Sequence, residues 1–468
     1  MSDHAAALPS VQGPTGATLT VAAARAWVGG AFLPARVRAE DGVVAAVETL
    51  AAPPGPADAD VVLGADEVLL PGLVDSHVHV NEPGRTRWEG FTSATRAAAA
   101  GGVTTIVDMP LNSVPPTTTP AALDAKLAAA AGKLSVDVAF WGGAVPETLG
   151  SLAPLHARGV RGFKAFLTPS GVDEFGHLDP AGLAAALAEV AALGTVLVVH
   201  AEDPEALLPA APDGRLGPVY ADFLASRPPA SERAAIARVV EGVRRTGARA
   251  HVLHLSDAGA LPLLRAARAE GLPVTVETCP HYLVLHAEDV PDAGTQYKCC
   301  PPIRSASNAD ALWDAVVDGT IDAVVSDHSP ATADLKHVAG GDFGLSWGGI
   351  AGLQLGFTVV ADEARRRGVP LAALLPAFTT GPARVAGLPG LGELVVGAPA
   401  HLVTWAPDEE HVVDVERLEH RNKVTPYDGR RLVGRVRDVW LHGVPVVTGG
   451  AVVQPGLGRT LLPVPTGA

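Results

Sequence analysis

The chain predicts a (β/α)8 barrel over residues 71–392, joined to a small β-sandwich made from residues 17–70 and 393–465. Three observations support this α/β architecture. Through the middle of the chain, apolar strand-like runs alternate with alanine-rich helical stretches, the order that builds a closed parallel sheet. Both ends instead carry short apolar runs broken by Gly, Pro and Asp, as antiparallel strands do. Histidine, lysine and aspartate residues also fall at the carboxyl ends of the central runs, the face where such barrels gather their functional groups.

At 468 residues the chain is long for one core, so a large domain with a smaller one is expected. Hydrophobic residues supply 48% of it and charged residues 18%, ample material for a buried interior. A net charge of −15 argues against nucleic acid or an anionic membrane as partner. Residues 1–20 show neither the basic segment nor the apolar core of a signal peptide, and no apolar run is long enough to span a bilayer. Cys279, Cys299 and Cys300 make no disulfide framework, which fits a reducing cytoplasm.

The amino-terminal strands are expected around residues 25–28, 43–47 and 61–63, and the carboxyl-terminal ones around 402–405 and 439–441. One domain made from both ends is the simplest account, because chain termini often lie close together. Between them the strand-like runs end at His79, Asp108, Trp141, Phe166, His200, His254, Cys279 and Asp327. Helices are expected at residues 91–100, 120–131, 180–193 and 257–270. An open doubly wound sheet would want a G-x-G-x-x-G loop after its first strand, and none occurs there.

His77 and His79 are two residues apart on the first run, so both imidazoles point to one side. Pro83-Gly84 stops that run, leaving the pair near its end. Neutral imidazole suits zinc, copper, iron or nickel. Lys164 lies in the fourth run, His200 ends the fifth, His254 the sixth and Asp327 the eighth. Singly, a strand-end histidine is more often a hydrogen-bonded structural residue, and a strand-end lysine a solvated one. Four histidines, a lysine and an aspartate on one predicted rim read instead as a metal site. By alternation His251 and His328 face elsewhere and read as structural. His281 fits support, substrate contact or packing equally.

A lysine among metal ligands needs a chemical reason, since an ammonium repels divalent cations. Burial lowers a lysine pKa, and the free amine of Lys164 can then add carbon dioxide to give an anionic carbamate. Its two oxygens bridge two metals about 3.5–4 Å apart, a pair that activates water and polarises a carbonyl. Two divalent ions against one carbamate, one aspartate and one hydroxide leave a small positive charge, suited to a developing oxyanion.

Eight stretches carry a family resemblance: residues 77–91, 100–112, 162–167, 170–175, 277–283, 298–304, 326–330 and 423–427. In them the chain resembles the cyclic amidohydrolases, most closely their allantoinase branch, over essentially its whole length. The resemblance implies a dinuclear zinc-type centre, with manganese or cobalt as alternatives. His77, His79 and Asp327 would hold one ion, His200 and His254 the other, and Lys164 would bridge them as N6-carboxylysine. It also implies assembly, which is common among relatives, with a homotetramer expected here, and a small-molecule substrate.

The branch is argued from Asn81. Dihydroorotases carry Arg at the matching position, where a bidentate donor meets the substrate's carboxylate, whereas the neutral Asn81 suits a neutral ureide. The implied reaction is hydrolytic opening of the hydantoin ring of allantoin to allantoate. A metal-bridging hydroxide would attack the ring carbonyl, with Asp327 as general base and then acid. Asn112, Ser329, Cys299 and Pro302 are expected around the substrate with Asn81. A hydantoinase, dihydropyrimidinase or dihydroorotase is the alternative. A non-catalytic assembly scaffold is a remoter one, since scaffolds lose ligands that this chain keeps.

Overall fold

A computed structural model describes residues 18–208, 211 and 213–462. Residue 17 and residues 463–465 of the expected sandwich, and most of the stretch read for a leader, lie outside the described residues.

Eight parallel strands form the centre: β1 (Leu73–Val78), β2 (Val103–Asp108), β3 (Asp137–Phe140), β4 (Phe163–Phe166), β5 (Val196–His200), β6 (Arg249–Val252), β7 (Val274–Thr278) and β8 (Ala323–Val324). Parallel pairing links β1 to β3, with register shifts between β1 and β2, and runs from β4 to β8. Backbone bonds close the two seams, helped at the first by Gly142–Gly143, which follows β3 and pairs with β4. Arg161 N donates to Phe140 O at 2.9 Å between β3 and β4, and His79 N donates to His328 O at 2.9 Å between the ends of β1 and β8. The sheet is therefore a barrel. Its strands are buried on both faces, as helix-covered parallel strands must be.

The helices follow from their amino ends. Pro120–Ala130 and Pro180–Leu193 each begin with proline at the first helical position, where no N–H is needed. Thr119 and Asp179 cap them, accepting from Ala122 N and Gly182 N. Phe91–Ala100, Pro229–Thr246, Leu261–Ala269 and Ala306–Val317 complete much of the outer layer. None of the described helices is long and apolar enough to cross a membrane.

Strands from both ends of the chain make a single nine-stranded sheet. Val68–Pro71 lies at its middle, parallel to Thr18–Val28 and antiparallel to Leu402–Val412. Val21, Val37, Leu69, Leu402 and Trp440 share one core, so the two terminal segments cover common apolar surface. Ala31–Glu40 also belongs to the sheet; its alternating Arg36 and Arg38 leave no apolar run to betray it in the sequence. Only Gly72 separates Val68–Pro71 from β1. A Cβ there would stand 2.0 Å from Thr104 Oγ1 and 2.7 Å from His401 Cβ, so the join admits no side chain.

β8 is shorter than the apolar run around it suggests. Past Val324 the backbone leaves the ladder: Ser326 N donates to Asp75 Oδ2 at 2.9 Å, and Asp327 takes a positive φ of 43°. Asp75 also accepts from His77 N at 3.1 Å, which ties the ends of β1 and β8 together. Burial raises its carboxyl pKa to about 6.

Candidate active site and metal centre

At the carboxyl ends of the strands, the six expected ligands converge on a cavity of about 330 Å³. The His77 and His79 rings lie 5.4 Å apart, His77 and His254 5.4 Å, and His200 and His254 4.6 Å. Asp327 Oδ1 stands 3.1 Å from His77 Nε2 and 3.6 Å from His79 Nε2. His254 and Asp327 reach the rim because each bends the chain, at φ 37° and 43°. L-residues adopt that region at some cost, and such strain gathers at functional sites.

The donor set fits divalent metal. His77 Nε2 and His254 Nδ1 are buried without a hydrogen-bond partner among the described residues, an expensive state unless a ligand takes them. Burial keeps His79 near 4 and pushes His200 and His254 down as well, so these imidazoles are neutral, the form that binds a metal. For His77 burial also opposes charge, but Asp327 and Glu277 on either side outweigh it and raise the pKa to about 9. A metal that bound beside His77 would have to displace that proton, so its loading is expected to tighten as pH rises toward 9.

Lys164 is distinctive among the buried lysines. Lys126 donates to Asp108, Lys298 to Ser346 O, and Lys336 to Trp347 O. Lys164 Nζ has no hydrogen-bond partner among the described residues and sits 4.5 Å above the Phe166 ring. Burial lowers its pKa to about 7, against the pull of Asp327 and Glu277.

Two carboxylates that sequence reasoning gave no role hold the rim in place. Glu277, on β7, lies 2.5 Å from His77 Nδ1 through one oxygen and 2.9 Å from His251 Nε2 through the other. Glu202 lies 2.7 Å from His200 Nε2, leaving Nδ1 of that ring to face a metal. Burial would raise both acids, but His77 beside Glu277 and Arg227 beside Glu202 hold each near 2. A signal existed in each case: a carboxylate inside an apolar strand, and a Glu two residues past a ligand histidine.

The side-chain alternation used for His251 does not extend to His254. β6 ends at Val252, and the turn re-aims His254, so His251 shares the barrel interior beneath it. His328 is buried away from the rim, 3.1 Å from Glu89. His281 sits beside Cys279 and Asp327, its Nε2 without a partner.

Of the expected substrate contacts, Asn112 and Ser329 line the cavity. Asn81, Cys299 and Pro302 are not among its lining residues. Asn81 turns at φ 65° and donates to Pro330 O at 3.4 Å, behind the wall. Cys299 is buried while its neighbour Cys300 reaches the cavity, and Pro302 O is engaged by Ser256 Oγ at 2.7 Å. Adjacent residues point opposite ways in extended chain, so one step in register separates wall from lining.

Residues 68–446 match the model of the amidohydrolase family. The chain belongs to the amidohydrolase family. It is 55% identical over 406 residues to an allantoinase of Streptomyces avermitilis, covering 86% of this chain and 90% of that protein. It is 45% identical to an allantoinase of Saccharomyces cerevisiae over 84% of this chain and 86% of that one. Among solved structures, the L-hydantoinase of Arthrobacter aurescens superposes with a TM-score of 0.87 at 29% identity, over 95% of this chain and all of that chain. The dihydropyrimidinase of Brevibacillus agri gives 0.85 at 27% identity, over 97% and 100%. This amidohydrolase is a hydrolase of cyclic amides.

The support role of Glu277 is testable in this amidohydrolase. Glu277→Gln keeps the shape but removes the charge on which the His77 ring rests. Loss of such an outer partner typically weakens metal binding about 10–100-fold, which competition against a chelator will measure. Unchanged chelator resistance would exclude the role.

Proposed function

We propose that this chain is an allantoinase, opening the hydantoin ring of allantoin to allantoate in purine breakdown. The observation that carries the reading is the charge of the cavity. Two cationic side chains line it beside the rim, and both are committed elsewhere: Arg227 Nη1 donates to Glu202 at 2.6 Å, and Lys298 Nζ to Ser346 O at 2.5 Å. Glu202 pairs the charge of Arg227, the only guanidinium among the described lining residues, so a neutral ring fits better than dihydroorotate. The similarity to allantoinases points the same way. A hydantoinase or dihydropyrimidinase activity is the second reading, favoured by the solved relatives, whose rings are neutral too.

In this reading His77, His79 and Asp327 would hold one divalent ion and His200 and His254 the other, with carboxylated Lys164 as the ligand both would share. Zinc is the proposed metal, with manganese or cobalt as substitutes. When bound, the pair polarises the ring carbonyl and makes a water acidic enough to attack it. Asp327, steadied by a 2.9 Å bond from Ser329 Oγ, takes the proton of that water. It then delivers the proton to the departing ring nitrogen as the C–N bond breaks. Asn112, whose Oδ1 has no partner, and Ser329 present polar atoms to the ureide. Asn81, Cys299 and Pro302 shape the wall from behind.

We assign the enzyme to the cytoplasm, which suits its three free cysteines, and to a homotetramer, which sedimentation will measure. The activity is tested by a hydrolysis panel of allantoin, hydantoin, dihydrouracil and dihydroorotate. Allantoin is expected to give the highest kcat/KM. Preference for dihydroorotate would overturn the neutral-cavity argument, and preference for hydantoin or dihydrouracil would establish the second reading.

A further inference from the structure

We propose a second, structural metal site on the opposite face of the barrel, where Asp137, His401 and His442 hold one divalent cation of the zinc class. Asp137 opens β3, so it lies at the amino ends of the strands, away from the rim. All three residues are buried, and one ligand atom from each lies within 4.8 Å of the others.

The distances repeat those of the catalytic rim. His442 Nε2 stands 3.1 Å and His401 Nε2 3.6 Å from Asp137 Oδ2. These are the separations of His77 and His79 from Asp327. Tetrahedral zinc with bonds of about 2.0–2.1 Å sets neighbouring ligand atoms roughly 3.3 Å apart. Both contacts can therefore close on one ion.

Hydrogen bonding leaves two of the three ligand atoms unused. Asp137 Oδ1 accepts from Arg459 N at 2.9 Å and lies 3.1 Å from His442 Nε2, but Asp137 Oδ2 and His401 Nε2 are buried with no partner among the described residues. An unpaired carboxylate oxygen facing an unpaired imidazole nitrogen is costly, and a cation between them satisfies both. The nearby Arg459 charge works against a cation, while two imidazoles and one carboxylate leave room for a water as fourth ligand.

The backbone supports the assignment. His442 and Gly443 make the turn between Arg431–Leu441 and Val444–Thr448, with φ 51° and 73°. Asn before Gly is the favoured pair in such a turn, yet here a histidine aims its ring at Asp137. The ion would pin three parts of the fold. His401 and His442 belong to the terminal sheet and Asp137 to the barrel. Arg459 belongs to the tail, which pairs with β3 through Val138 N to Arg459 O and Leu461 N to Val138 O, both at 2.8 Å.

His442→Asn is the decisive variant, because it suits the turn and removes one ligand. Native mass spectrometry of zinc-loaded protein is expected to show one metal fewer per chain in His442→Asn than in the parent, with kcat per active site unchanged. Chelation should lower the melting temperature of the parent by more than that of the variant. His401→Gln, a second variant just before the strand Leu402–Val412, should give the same one-ion loss. The difference of one ion holds whatever number the catalytic rim carries, so failure of the catalytic assignment would show separately. Equal metal content in parent and both variants would overturn the site and leave a hydrogen-bonded triad.

Discussion

Lys164→Ala is expected to lose turnover by roughly 10³-fold or more, the scale on which removing electrostatic stabilisation acts, and to bind metal poorly. The motivation is that, among the described residues, Lys164 alone of the buried lysines has no hydrogen-bond partner while facing four histidines and Asp327. A carbamate gives that buried amine a purpose. Carbon dioxide adds to the free amine, a C–N bond forms and one proton leaves, so the product is an anion with two ligand oxygens. Acetate or propionate should therefore restore part of the activity of the alanine variant, because a small acid replaces a carbamate but not a cation. The pH dependence has a definite sign. With the Lys164 pKa lowered to about 7, the amine is free above that value and protonated below it. Reactivation of metal-stripped enzyme by metal and bicarbonate should accordingly rise from pH 6 to pH 8, and fail in buffer free of carbon dioxide. Wild-type turnover with two metals in Lys164→Ala would exclude the bridge.

Asp327→Asn should reduce kcat by about 10²–10⁴-fold, the usual range for a positioned acid–base group, with KM changed far less. Burial alone would raise the Asp327 pKa, but His77 holds it well below the ordinary range, so the side chain is a carboxylate at working pH. An amide of the same shape neither takes a proton from water nor returns one to the ring nitrogen. Steady-state kinetics on metal-replete variant, checked for metal content, separates this role from simple ligand loss. A variant that keeps its metals and more than a tenth of parental kcat would move the acid–base role to another group. His281, buried beside Asp327 with a free Nε2, is the first to examine.

Much of this protein could be read along the chain. The alternation of apolar runs and alanine-rich helices determined a barrel, because period-2 and period-3.6 patterns are local properties of consecutive residues. The same holds for His77 and His79, and for the strand-end placement of Lys164, His200 and Asp327. Composition likewise located several of the terminal strands, since turn residues punctuate them, but missed Ala31–Glu40 and Val444–Thr448.

Tertiary structure decided what depends on residues far apart in sequence. Glu277 reaches His77 across 200 positions, and no local pattern can announce a partner at that distance. The aim of His254 and Asp327 comes from positive φ beyond the last ladder bond, where strand alternation no longer governs direction. Asn81 lies behind the wall and Asn112 on it because of where the loops between strands pack. The cluster of Asp137, His401 and His442 joins a barrel strand to the terminal sheet, residues that sequence alone leaves hundreds of positions apart. Patterning determines which elements form, since burying an apolar face is a local requirement. Which polar groups meet is set only when the elements close on one another, because hydrogen bonds and metal ligation act over a few ångströms in space.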